Sequence, residues 1–441
     1  MDSIPQDSIL GNLPTEELLS DMAAFLEPVL VHLPDERYRK TCCLAVQGIV
    51  SGQSPMITQM ARGVKRQGFT IWAMSKRIYR FVRSERFSHR VLLKGLYGIA
   101  QRTVARYEPS CLVVALDPVN FEKPYTRKYE GVSTVIKSTP PGEYGKKRLT
   151  SGYPAITAAI VNLPEPVITY ANWFSYKTAD FVSENRELYR AIRITRALFP
   201  HAKLRFIGDS GLDDQKVFAW VKEVHAEFIM RSSHDRRIEV YNDRLDRWEN
   251  ELLSDLVVTV PLPLKVQVTF TKSRRRRVVD KQLGWLKIRL LDTQQVLWAL
   301  VIHDPNTRKD VVLLTNIPIQ DDTDALLVLS EWRRRPQIEH TYRFDQEDGL
   351  DIEDMRVRTI ERMRRVFVLV LLATLFIYRI AQTWPQSALL WIRCLGGKLG
   401  FSSDRDGPYV LLAGIRAVFV THATLAFAHQ HPFPRAPGTY G

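Results

Sequence analysis

The spacing of apolar positions changes character along the chain. Over residues 71–83 it is helical, with Ile71, Met74, Ile78 and Val82 on one face and Lys76, Arg80 and Arg83 on another. This predicts an amphipathic helix with a basic side. A shorter helix before it, from a cap at Ser54 through Gln59 to Val64 and ended by Gly68, gives a helix-turn-helix-like outline. From about residue 110 short continuous apolar runs take over. Residues 111–116 read as a buried strand ending at Asp117, and residues 203–208 as another ending at Asp209. Residues 153–162 and 166–173 read as two strands joined by a turn at 163–165. Helices are expected over 181–199 and 214–225, with a strand over 227–231.

Residues 256–318 are β in pattern: 265–270 and 286–290 alternate apolar with polar, and Asp304, Pro305 and Asn306 make a turn between strands 296–303 and 311–316. After residue 324 the pattern is helical. Pro336 suits the first turn of a new helix, which puts Glu339 near that helix's N-terminal end. The pattern breaks at 348–351, then a long helix is expected over about 354–383. Its uninterrupted apolar run, 366–378, is shorter than the roughly 18 residues a membrane span needs, so it predicts a buried helix and no membrane partner. Residues 385–428 are mixed helical and apolar, and 431–441 read as a loose tail.

Three strands, a helix, then strand-helix-strand is the order of a ribonuclease-H-like core. The predicted fold class is therefore α/β, a ribonuclease-H-like catalytic core interrupted by a β-rich insertion, with helical regions at both ends. The expected boundaries are a helical N-terminal DNA-binding region over 1–105, the first part of the core over 106–236, the insertion over 237–322, the second, helical part of the core over 323–384, and a C-terminal helical region and tail over 385–441.

Composition adds charge to this picture. The 441 residues carry a net charge of +14, with 45% hydrophobic and 25% charged residues, which excludes disorder, collagen and a pure coiled coil. Residues 1–37 hold eight acids and one base, whereas residues 60–110 hold twelve bases and two acids, the footprint of a polyanion-binding face. A second basic run, Lys272 with Arg274, Arg275, Arg276 and Arg277, fits a solvated hairpin tip or a DNA-backbone contact equally well. Cys42, Cys43, Cys111 and Cys394 show neither zinc spacing nor a disulfide framework, which fits a reducing, intracellular setting. The acidic N-terminus lacks the features of a secretory signal.

Asp117 and Asp209 are the strongest chemical signal. Carboxylates at the ends of two strands that could lie side by side repel one another, and a hard divalent cation relieves the repulsion. A third acid would complete such a site, and spacing alone does not choose among Glu331, Glu339 and Glu347. An oxygen-only donor set suits Mg2+ or Mn2+ and not zinc.

The sequence resembles the DDE transposases of bacterial insertion sequences, in the group whose core is interrupted by a β-rich insertion before the glutamate. That group has a Tyr, Arg, Glu and Lys signature. The same frame here reads Trp332, Arg335, Glu339 and Gln346, so Arg335 and Glu339 match while Trp332 and Gln346 depart. Residues 314–318, Gly349-Leu350, the Gly208-to-Asp213 segment and the arginine-bearing strand ending at Arg231 also look like the family. The resemblance spans roughly residues 105–385. It implies Asp117, Asp209 and Glu339 as catalytic, metal-binding acids. It further implies cleavage at the ends of the protein's own insertion sequence and strand transfer into target DNA, a homodimer on paired terminal inverted repeats, and a cytoplasmic, nucleoid-associated location in a prokaryote. Trp332, Arg335, Gln346 and Arg231 are the DNA-contact positions it suggests, beside Lys76, Arg80 and Arg83 and the Arg274–Arg277 run read from charge. Trp332 lacks the tyrosine hydroxyl and Gln346 lacks the lysine charge. Two other readings remain: a domesticated DNA-binding regulator, and a metal-dependent nuclease without strand transfer.

Overall fold

The computed structural model describes residues 13–64, 69–124, 128–137, 148–242, 244–272, 275–307, 310–346, 349–397 and 407–430, without the side chains of 270–272, 275–276 and 429–430. Gly68, Arg274, Glu347, the 431–441 tail and the side chains of Lys272, Arg275 and Arg276 therefore lie outside the described residues.

Among the described residues five helices come first: α1 (Thr15–Leu30), α2 (Glu36–Gly52), α3 (Ile57–Gly63), α4 (Ile71–Arg83) and α5 (His89–Tyr107). Asp35 caps α2 by accepting the Arg37 and Tyr38 N–H groups, and Thr70 caps α4 by accepting that of Ala73. Two expectations need correction here. Met74, Ile78 and Val82 of α4 are buried, but Ile71 is exposed, because it sits in the first turn ahead of the packed face. Ser54 does not cap α3. The cap position is Met56, and the Ser54 hydroxyl accepts the Met56 N–H while donating to Asp354.

Next come β1 (Leu112–Glu122), β2 (Ser133–Ile136), β3 (Leu149–Ile160), β4 (Val167–Trp173), α6 (Glu184–Leu198), β5 (Leu204–Gly208), a 3-10 turn (Ser210–Leu212), α7 (Gln215–Glu223) and β6 (Glu227–Arg231). Strands β4, β3 and β1 run antiparallel to their neighbours, while β1, β5 and β6 are parallel. The chain continues through β7 (Arg237–Asn242), β8 (Arg247–Leu252), α8 (Leu253–Thr259), β9 (Leu264–Lys272), β10 (Arg275–Leu290), β11 (Val296–His303) and β12 (Val311–Thr315). β12 returns antiparallel to β6, so the strands after β6 extend one mixed sheet of twelve strands. Alternate residues of β1 enter two cores: Val113 and Ala115 face the side of the N-terminal helices, Leu112, Val114 and Leu116 the side of α6 and α7.

The remaining elements are α9 (Asp322–Trp332), α10 (Pro336–Gln346), a 3-10 turn (Ile352–Asp354), α11 (Ile360–Thr383), α12 (Gln386–Gly396) and α13 (Pro408–Gln430). α10 begins at Pro336, where a missing N–H costs nothing. α11 begins at Ile360 and not at Asp354, because the 3-10 turn and an extended stretch precede it. By length and composition α11 and α13 could each cross a membrane. Within the fold, 72% of the most apolar window of α11 and 33% of that of α13 is buried. α11 is a core helix: Arg365 donates to the carbonyls of Val82, Ser84 and Phe87 and to Glu361, welding the end of α4 and the start of α5 to it.

Candidate active site

Asp117 is not at a strand end. The parallel ladder between β1 and β5 stops at Ala115 and Ile207, but β1 runs on to Glu122 against β3, with Asp117 opposite Thr157. One edge of β1 is therefore unpaired at Asp117, which also explains how Pro118 is accommodated within the strand. Asp209 directly follows β5 and accepts the Ser210 N–H at 2.8 Å, so it caps the 3-10 turn as well as lining the site. Gly208 allows a close approach there: a Cβ would meet Leu212 Cδ1 at 2.6 Å and Met230 Sδ at 2.7 Å, so one of those side chains would have to shift.

Glu339 lies in the first turn of α10, and Arg335 immediately precedes that helix. The Arg335 guanidinium donates to Glu339, and one of its nitrogens stands 3.4 Å from Asp117 Oδ1 and 3.5 Å from Asp209 Oδ2. Three carboxylates from three separate elements thus meet on one arginine. The side chains of Arg335 and Asp117 are only 14% and 15% exposed, whereas those of Asp209 and Glu339 are about two-fifths exposed. Burial, partly opposed by Arg335 and reinforced by Glu339 and Asp209, pushes Asp117 up to about 7 from an ordinary 3.8. Arg231 approaches Asp209 from the outside at 3.6 Å.

Among the described residues no three Asp, Glu, His or Cys side chains already stand at metal-ligating distances from one point. The guanidinium lies between these three. Their donor chemistry is nonetheless that of a hard-cation site, all oxygen, with Arg335 shared by all three carboxylates and Arg231 reaching Asp209.

The other acids considered are placed elsewhere or lie outside the description. Glu331 is held beside Arg205 and Arg334 on α9, while Glu347 is outside the described residues. The two departing positions make backbone contacts: Trp332 Nε1 donates to the Gly208 carbonyl at 3.4 Å, and Gln346 Nε2 to that of Asn120 at 3.3 Å. Lys76, Arg80 and Arg83 are exposed on α4, with Lys76 5.1 Å over the exposed ring of Trp72. Arg277 is exposed near the β9–β10 turn.

No protein-family model matches the chain, and no curated protein matches it. Among solved structures it is similar to a piggyBac transposase synaptic complex with hairpin DNA, with a TM-score of 0.41 and 8% identity, over 99% of this chain and 87% of that one. At that identity no residue role carries across.

Two features next to the site escaped the sequence reading. Tyr342, one turn after Glu339, is buried near Asp117 and Thr157. Burial first, then the Asp117 charge, pushes its hydroxyl far above its ordinary range, so it stays protonated. The three-residue step from Glu339 was the available signal. The second feature is Asp345. It is fully buried, takes a hydrogen bond from Thr374, and is pushed up to about 8 by burial. A cavity of about 990 Å3 lies elsewhere, lined by Met22, Cys43, Met74 and Phe427 among others.

Proposed function

We propose that this chain is a metal-dependent phosphoryl transferase acting on DNA, a transposase of the DDE class with Asp117, Asp209 and Glu339 as its catalytic acids. The observation that carries the reading is the convergence of these carboxylates, 92 and 130 residues apart in sequence, on the Arg335 guanidinium. Carboxylates crowded into one small space are costly to ionise together, and such arrangements recur where a site is built for a cation. The β4-β3-β1-β5-β6 strand order, three antiparallel strands then two parallel ones, agrees with a ribonuclease-H-like core carrying acids on adjacent strands.

Bound Mg2+ or Mn2+ would supply an activated water or 3′-hydroxyl and stabilise the leaving oxygen. The chain's residues would do the rest. Asp117 is fixed by the β1–β3 ladder, Asp209 by its turn, and Glu339 by a helix start. Arg335 keeps the carboxylates together until its fork is drawn to a phosphate, which suits a planar donor better than a lysine. Arg231 and the exposed bases of α4 would hold DNA. The expected substrates are terminal inverted repeats and target DNA, acted on by a homodimer in the cytoplasm of a prokaryote.

The test uses DNA ends taken from inverted repeats flanking the gene. With Mg2+ the wild type should cleave and join them, while Glu339→Gln should bind but not cleave. Cleavage without joining would make the protein a nuclease, and binding without cleavage by the wild type would make it a regulator.

A further inference from the structure

Between the 3-10 turn at Ile352–Asp354 and the start of α11 runs an extended segment in which Met355 and Val357 are buried while Arg356 and Arg358 point outward. It is held from beneath at several points. Lys123 donates to the carbonyls of Glu353 and Met355, the Glu122 N–H donates to Glu353, the Glu130 N–H donates to the Arg358 carbonyl, and the Ile360 N–H donates to the Glu130 carboxylate. The outward arginines are thus displayed on rigid backbone.

The acids nearby are engaged: Glu353 and Glu130 accept backbone N–H groups, and Glu361 pairs with His89 and Arg365. Among the described residues Arg358, Arg362 and Arg83 make no ion pair, and Arg356 has only Asp354 at 3.5 Å. Arg362 is held below its ordinary range by burial first, with Arg83 and Arg365 adding to the shift and Glu130 opposing it. Tyr129 lies near Arg356, Arg358 and Tyr79 of α4, so the patch is continuous with the exposed Arg80 and Arg83 of that helix. Such a basic patch suits a polyanion.

We infer that Arg356, Arg358, Arg362 and Arg83, with Tyr79 and Tyr129 between them, form a phosphate-binding platform for one strand of a nucleic acid passing from α4 to the carboxylate site. Two residues of extended chain set Arg356 and Arg358 about 6.6 Å apart, of the order of the spacing between successive phosphates. A regular run of phosphates matches this display better than an acidic peptide or a lipid surface, and the tyrosines offer flat surfaces to sugar or base. The platform abuts the end of β1 at Glu122, five residues and roughly 17 Å along the strand from Asp117, which is about five base pairs of duplex.

This inference rests on the proposed DNA chemistry, and its test separates the two. The full chain is titrated against a labelled 30-base-pair duplex of arbitrary sequence over a salt series. The proteins compared are wild type, Arg356→Glu/Arg358→Glu, Arg358→Lys and, as a control on the β7–β8 hairpin, Arg244→Glu. The double reversal should weaken binding at least about tenfold at low salt and lower the salt slope by about 2, one unit for each phosphate left without its arginine. Arg358→Lys and Arg244→Glu should keep the wild-type slope, and the melting temperatures should agree. Wild-type affinity and slope in the double reversal would overturn the platform and leave the function standing. A wild type that binds no duplex at any salt would overturn the function, and one that prefers anionic vesicles to duplex would overturn the choice of partner.

Discussion

Two arginines in this molecule, Arg365 buried and Arg335 half-buried, do opposite work. Arg365 spends its guanidinium on three backbone carbonyls and Glu361, with its ring-facing side over Phe87, so its surroundings are satisfied. Arg335 faces three carboxylates at once, and its Nε has no partner. The first arrangement is a weld between α11 and the helices α4 and α5. The second gathers three carboxylates on one guanidinium, with burial pushing Asp117 up to about 7, an arrangement suited to holding another cation.

The difference can be broken most forcefully at Arg365. Arg365→Met should cost about 3–5 kcal/mol, since it strands buried carbonyls and Glu361, and Mn2+ should not restore the loss. Denaturant unfolding of the variant with and without Mn2+ measures both. Arg335→Gln should cost far less, on the order of 1 kcal/mol at pH 6, because Asp209 and Glu339 are partly solvated and Asp117 already holds its proton at that pH. Here added Mn2+ should raise the melting temperature more than it does for the wild type, because the competing guanidinium is gone. An Arg335 variant as unstable as the Arg365 one would erase the distinction.

Asp117 supplies a finer test through pH. Its carboxyl holds its proton to about 7 in the folded protein against an ordinary 3.8. The stability contributed by that proton is whole below about pH 4 and is lost as pH rises through about 7. Asp117→Asn removes this dependence, so its stability relative to the wild type should improve between pH 4 and 7, with a slope of at most roughly 1.4 kcal/mol per pH unit. Parallel stability curves for the two proteins would count against the burial assigned to Asp117.

Much of this was legible in the sequence. The strands expected at 203–208 and 227–231 and the helix start at Pro336 could be read because each is a local pattern of apolar runs and turn chemistry. Misreadings arose where tertiary pairing decides. Asp117 looked like a strand end, but β3 carries the strand on; α11 looked longer, but pins from Lys123 and Glu130 hold 355–359 extended. Choosing Glu339 over Glu331 was open to spacing, because only the fold shows that Glu331 belongs to Arg205 and Arg334. The platform at 356–362 went unnoticed because its arginines are scattered in sequence and gathered with Arg83 only by folding.

The central claim is that Asp117, Asp209 and Glu339 form a divalent-cation site. Titration of Mn2+ against the wild type and Asp117→Asn/Asp209→Asn/Glu339→Gln, followed by the spin signal of free Mn2+, tests it most directly. Saturable binding by the wild type that disappears in the triple variant, with the fold intact, is the predicted result; equal binding by both proteins, or none by the wild type with or without duplex DNA, would contradict it.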